Sequence, residues 1–278
     1  MTLIQAFILG LVQGLSEFLP ISSSGHLAIG QYFFGVNPDE VLFFAVMLHV
    51  GTLFSVFICY WKDIVLLVRE LGAVIKDIFT GKGLRVNLNP TRRLGFMIIV
   101  ATVPTAVIGL AFNDFFERLY ASIIAVALGL VFTGFILLIA EKTGKSEKDV
   151  MEMRWLHAIL IGCMQGVAIY PGISRSGSTI FGGLVAGLKR EFAVKFAFLI
   201  SIPSILGSVI VEAPDAFAEG VDVAFLMPII LGVLVSAISG IVAIKWMIRV
   251  VTGKRLFGFS IYVWIVAAAI FFYVLVIM

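Results

Sequence analysis

The chain has 278 residues, 61% hydrophobic and only 13% charged, with a mean hydropathy of +1.12. Those values exclude an ordinary soluble domain, in which apolar and polar residues are nearly balanced. The formal net charge of +3 excludes nothing by itself; its distribution along the chain carries the information.

Apolar runs long enough to cross a ~30 Å hydrocarbon core, about 20 residues each, recur throughout. They predict an all-α integral membrane protein, one polytopic domain over 1–278, rather than a barrel of alternating strands. In chain order the apolar segments lie near 2–19, 21–35, 41–61, 94–112, 120–140, 155–170, 171–188, 192–211, 224–247 and 258–278. The first basic residue is Lys62, so the opening stretch lacks the basic region of a signal peptide and reads as retained structure. Cys59 and Cys163 lie in apolar segments with no Cys or His at ligand spacing, and read as small core residues.

Lys and Arg gather in the connections 62–93, 141–154, 189–195 and 245–255, which the positive-inside rule assigns to the cytoplasm. The connections 36–40 and 212–223 have none, and 113–119 has only Arg118, so these face outward. Six segments then become complete spans: 41–61, 94–112, 120–140, 192–211, 224–247 and 258–278. The stretch 155–188 begins and ends on the cytoplasmic side, and 2–35 ends on the outer side. Both read as re-entrant helical hairpins, with a pair of full spans the alternative for 155–188, because broken backbone at membrane depth survives only where protein or a water-filled cavity satisfies it.

Residues 10–26, GLVQGLSEFLPISSSGH, align with 162–178, GCMQGVAIYPGISRSGS, at a constant offset of 152 with seven identities in 17 positions. The matched residues are mostly not aliphatic, so membrane composition alone does not account for them. Since one copy enters from outside and the other from inside, 1–140 and 155–278 form inverted repeats. Such repeats place their broken helices face to face near the bilayer midplane, as in secondary transporters. One polar site built from two loops is therefore expected, holding Glu17, Ser22, Ser23, Ser24, His26, Ser174, Arg175, Ser176, Ser178 and Thr179.

An arginine at that depth costs at least ~2.5–3.5 kcal/mol on insertion scales, so Arg175 requires a partner. Glu17 and a bound anion are the two candidates. Backbone N–H groups at Gly25 and Gly177, at helix starts, are expected to face an anion, with Arg175 supplying a planar fork for phosphate. Glu17 and His26 offer a base or a metal ligand, and Ser23 a hydroxyl nucleophile. The plainer reading of Ser22 and Ser24 is helix capping. His49 reads as a hydrogen-bonded core histidine, Asp114 and Glu117 as a solvated loop, and Pro104 and Pro203 as kinks.

QGLSEFLPISSSGH at 13–26 and PGISRSGST at 171–179 resemble the two signature motifs of the undecaprenyl pyrophosphate phosphatase family, associated with bacitracin resistance. The resemblance implies six spans plus two re-entrant hairpins in inverted repeats, at the cell membrane with the site open outward. It further implies hydrolysis of a C55 polyprenyl pyrophosphate to the monophosphate, recycling the lipid carrier of cell-envelope glycans, with a divalent cation such as Mg²⁺ or Ca²⁺. By the same resemblance Glu17 is a metal ligand, Ser23 the proposed nucleophile, with an activated water as the alternative, and His26 an acid/base group. Ser174, Arg175, Ser176 and Thr179, with Ser22, Ser24, Gly25 and Gly177, become the phosphate-binding loops. Gln13 stands where a glutamate is the alternative, and an amide is a weaker cation ligand. Bacitracin is expected to compete for the substrate, and no nucleic-acid partner is expected. A second copy of the chain is a candidate partner, and the small-residue face GGLVAG at 182–187 suits helix packing either within one chain or between two. SSSGH superficially resembles a motif of type-2 phosphatidic acid phosphatases, whose other motifs are absent. The alternative from another class is a polyprenyl-phosphate flippase or secondary transporter using the same anion site.

Overall fold

The computed structural model describes residues 1–34, 38–143, 147–218 and 226–276. They form twelve helices: α1 Leu3–Phe18, α2 Ser23–Phe34, α3 Pro38–Cys59, α4 Trp61–Phe79, α5 Pro90–Ala111, α6 Asn113–Tyr120, α7 Ile123–Lys142, α8 Trp155–Val167, α9 Arg175–Val185, α10 Arg190–Ala218, α11 Leu226–Thr252 and α12 Phe257–Val276. Five of these are long and apolar enough to cross a membrane, within α5, α7, α10, α11 and α12; α3 passes only together with α4, across an 85° bend. Large side chains point outward along them, among them Leu110 at 72% exposure and Ile238 at 64%. Water would not tolerate so much contiguous apolar surface, and lipid does. The chain is a multi-pass, all-α integral membrane protein.

α1, α2, α8 and α9 have 16, 12, 13 and 11 residues. At 1.5 Å per residue none reaches beyond about 24 Å, short of the hydrocarbon thickness. α1 lies against α11 and α8 against α5, while α7 pairs with α12 and α3 with α10. The contacts are thus reciprocal between the two halves.

Two sequence expectations need correcting. The basic connection 62–93 contains α4, whose charged pairs Lys62–Asp63, Arg69–Glu70 and Lys76–Asp77 recur every seven residues around an apolar stripe. A search for apolar runs passes over such a helix, whereas a 3.6-residue periodicity reveals it. Its far end is pinned by buried Arg92, whose Nη1 donates to Asp77 at 2.7 Å and whose Nε donates to Glu70 at 3.0 Å. The first of these bonds holds the Asp77 carboxyl below its ordinary range. The supposed loop at 113–119 is also helical, as α6, with Phe116 buried. The connections 36–40 and 212–223 lie in part outside the described residues.

Arg190 fastens one end of the bundle. Its guanidinium donates to the carbonyls of Thr143 after α7, at 3.2 Å, and Val251 in the last turn of α11, at 3.3 Å. Both are helix C-termini, where carbonyls lack partners and a cation is favoured. GGLVAG at 182–187 packs within the chain: Gly182 faces Ile161 and Met164 of α8, and Gly183 faces Ala193 of α10. Those small residues are therefore not a surface for a second copy.

Candidate active site

The site forms where the link between α1 and α2 meets the link between α8 and α9. Glu17, near the end of α1, is buried, with its side chain only 2% exposed. Its Oε2 accepts from Ser23 Oγ at 2.7 Å and from Gln13 Nε2 at 3.0 Å. Its other oxygen, Oε1, accepts from Arg175 Nη2, and Arg175 Nη1 reaches Ser204 Oγ at 3.4 Å. One carboxylate thus holds a hydroxyl, an amide and a guanidinium. Of the two partners expected for Arg175, the protein supplies Glu17. The cavity beside this pair, lined by Phe18, Ser176, Thr179, Phe198 and Ser201 among others, measures about 10 Å³, room for a single water.

The serines around this centre build the loops. Ser22 Oγ accepts from Gly25 N–H at 3.2 Å, and its repeat mate Ser174 Oγ accepts from Gly177 N–H at 3.1 Å. Ser22 and Ser24 hydroxyls are 3.1 Å apart, and those of Ser174 and Ser176 are 3.2 Å apart. The loops also clasp each other: Ser24 Oγ accepts from Gly172 N–H at 3.4 Å, and Ser176 Oγ donates to Leu19 O at 3.1 Å. The Gly25 and Gly177 N–H groups, expected to face an anion, donate here to capping hydroxyls. Thr179 Oγ1 donates back to Arg175 O at 2.9 Å and faces the cavity.

Each loop contains one left-handed residue, Ser22 at φ 70° and Gly172 at φ 85°. Gly172 lies so close to α7 that an added Cβ would meet Val126 O at 2.1 Å, so glycine is required there for space as well as for backbone. Thr133 of α7 secures the same turn, its Oγ1 donating to Gly172 O at 3.1 Å and accepting from Ser174 N–H at 2.9 Å.

His26 is placed differently from expectation. Its Nδ1 lies 2.8 Å from Ser22 O, which can only accept, so Nδ1 carries a proton. In the neutral ring Nε2 then accepts from Tyr262 Oη at 2.7 Å, and the two rings stack 5.6 Å apart at 9°. The hydroxyl of Ser23 is bonded to the carboxylate of Glu17 and not to His26. His49, read as a core residue, stands with Nε2 3.9 Å from Glu17 Oε2 while Nδ1 donates to Ala45 O at 2.8 Å. Sequence reasoning missed Tyr262, Ser204 and Thr133, polar residues within apolar helices and outside the two loop motifs.

Gln13 Oε1 is buried without a hydrogen-bond partner, as is Oε1 of its repeat mate Gln165. Among the described residues no cluster of three or more His, Cys, Asp or Glu is positioned to hold a metal. Glu17 and the unpartnered Gln13 oxygen are nevertheless hard oxygen donors. They fit a cation of the Mg²⁺ kind, which is commonly held by one or two carboxylates plus substrate phosphates.

These features define a polytopic helical membrane protein whose buried site joins a carboxylate, a hydroxyl and a guanidinium at the crossing of two broken helices. The chain belongs to the family described as Bacitracin resistance protein BacA, whose sequence model matches residues 6–269. It is 48% identical over 270 residues to an undecaprenyl-diphosphatase of Alkaliphilus metalliredigens, covering 97% of this chain and 98% of that one. It is 43% identical over 268 residues to an undecaprenyl-diphosphatase of Carboxydothermus hydrogenoformans, covering 96% of this chain and 95% of that one. With the undecaprenyl-diphosphatase of Halothermothrix orenii it shares 39% identity over 270 residues, 97% of each chain.

Proposed function

We infer that this chain is an undecaprenyl-diphosphatase, which hydrolyses C55 polyprenyl diphosphate to the monophosphate and inorganic phosphate. The observation that carries the reading is the division of Glu17 between Ser23 and Arg175, in a chain whose full-length relatives bear that name. A nucleophile, its base and a phosphate-binding cation meet in one contact.

Ser23 Oγ attacks the terminal phosphorus, its proton passes to Glu17, and the bond to the bridging oxygen breaks. As that proton moves, Glu17 loosens its hold on Arg175, and the guanidinium turns its planar fork to the phosphoryl oxygens in the transition state. The same movement widens a cavity that otherwise has room for one water. Glu17 yields its proton to the departing monophosphate. The carboxylate then takes a proton from water as that water attacks the phosphoserine, and returns it to Ser23. Stabilisation of charge by Arg175 supplies most of the rate, as in other phosphoryl transfers. His26, held between Ser22 and Tyr262, positions the first turn of α2. Glu17 and Gln13 Oε1 would hold a divalent cation, Mg²⁺ or Ca²⁺, which when bound neutralises diphosphate charge.

We read α3, α5, α7, α10, α11 and α12 as six spans, and α1–α2 and α8–α9 as re-entrant hairpins, in inverted repeats 1–140 and 155–278. The short lengths of the four hairpin helices, the reciprocal packing of α1 on α11 and α8 on α5, and the matched serine bonds all support this. By resemblance to the family we place the opening of the site at the outer face, where bacitracin competes for the lipid diphosphate. The flippase alternative draws on the repeat alone and is not favoured.

Phosphate release from C55 diphosphate by the purified chain tests the reading. Release is expected, with loss on adding chelator and in Arg175→Ala. Movement of lipid between leaflets without phosphate release would favour the flippase.

A further inference from the structure

A second polar feature lies away from the Glu17 centre, at the foot of α8. It is a hollow of about 550 Å³ lined by Arg93, Lys148, Met151, Glu152, Arg154 and His157. None of its three cations forms an ion pair with a carboxylate among the described residues. Arg93 donates from Nε to Val150 O at 2.9 Å and from Nη2 to Met153 O, while Lys148 Nζ donates to Ala186 O at 2.9 Å. Carbonyls orient these groups and leave their charge uncancelled.

The acids nearby are turned onto backbone. Glu152 Oε2 accepts from Asp149 N–H at 3.1 Å, and Asp149 Oδ1 accepts from Met151 N–H at 2.9 Å. His157 Nδ1 accepts from Arg154 N–H at 3.2 Å, so its Nε2 carries the proton and is a donor. Directly along α8 from the hollow runs an uncovered apolar strip, Trp155, Leu156, Ile159 and Leu160, with Leu156 at 74% exposure. A cationic recess joined to a bare apolar strip fits a ligand with an anionic head and an apolar tail.

We propose that this hollow binds the phosphate headgroup of an anionic phospholipid, with the acyl chains along Trp155, Leu156, Ile159 and Leu160. Basic recesses between membrane helices on the cytoplasmic side suit such headgroups, and the hollow is formed by the basic connections assigned to that side. Its place gives the lipid a mechanical role. Lys148 reaches the end of α9, and Arg93 the turn leading into α8, so a headgroup between them ties together the two arms that present Arg175. The inference stands independently of the chemistry assigned to Ser23.

The test uses the full chain in nanodiscs of phosphatidylcholine with or without phosphatidylglycerol, with retained lipid counted by native mass spectrometry. Arg154 is exposed and its side chain forms no ion pair among the described residues, so Arg154→Gln and Arg154→Glu are expected to leave the fold intact. Elution as the wild type from size exclusion, and unchanged phosphate release in detergent, check this; if the charge reversal aggregates, Arg154→Gln alone decides. Wild type is expected to retain phosphatidylglycerol over phosphatidylcholine. Loss of one cation weakens retention about fivefold and reversal about 30-fold, from roughly one kcal/mol per charge near an anionic surface. Equal retention by wild type and variants would overturn the proposal. Thermal stabilisation by millimolar inorganic phosphate without selectivity for phosphatidylglycerol would also overturn it, in favour of a free-anion site.

Discussion

Ser23 and Arg175 are equivalent residues, 152 positions apart, each the first residue of its helix, and both end on the carboxylate of Glu17. The two helix starts carry different chemistry, a hydroxyl on one and a guanidinium on the other. Glu17 lies where both are reached at once, so one carboxylate joins a hydroxyl to a guanidinium.

Removing the carboxylate separates the two roles assigned to it. Glu17→Gln keeps the size and an acceptor but cannot take the Ser23 proton, and turnover is expected to fall by about 10²–10⁴. Arg175→Lys keeps charge and loses the fork, and is expected to cost about 10²–10³. Phosphate release measured on both variants checks this; an active Glu17→Gln would remove the base from the account.

Tyr262→Phe deletes the hydroxyl that His26 Nε2 accepts while keeping the stacked ring. If His26 serves position alone, kcat is expected to fall only about threefold, the worth of roughly one neutral hydrogen bond or less, and the pH profile to stay unchanged. A shifted acid limb would instead make His26 a proton carrier.

Gln13→Glu places a second carboxylate beside Glu17, on the turn of α1 where Oε1 now has no partner. The concentration of Mg²⁺ needed for half-maximal phosphate release is expected to fall roughly tenfold. An unchanged requirement would place the cation elsewhere.

Thr133→Val removes both bonds that fasten the second loop to α7 and leaves two buried backbone groups unsatisfied. A loss of about 1–3 kcal/mol in stability is expected, read from thermal unfolding in detergent, with a parallel loss of activity. Full stability in Thr133→Val would mean that the close approach of Gly172 to Val126 suffices by itself.

Much of this was legible in the chain. Apolar runs locate the principal membrane helices, and the 152-residue offset reveals the paired loops because Gln, Ser and Gly are too polar or too small to recur by membrane composition. The loops' inner bonds were less legible. Ser22 and Ser174 read equally well as caps or as ligand contacts, and only geometry shows that Gly25 and Gly177 spend their N–H groups on them. His26 carries a motif position but not its partners, the Ser22 carbonyl that fixes its tautomer and the Tyr262 hydroxyl, 236 residues away. α4 escaped because its charges, spaced by seven, break every apolar run while preserving an apolar face.

The most direct measurement is rapid quench of the purified chain with C55 diphosphate labelled on the terminal phosphate. The account predicts acid-stable label on the peptide containing Ser23, none in Ser23→Ala, and turnover in that variant reduced ~10³-fold or more. Full turnover by Ser23→Ala with no labelled peptide would contradict it.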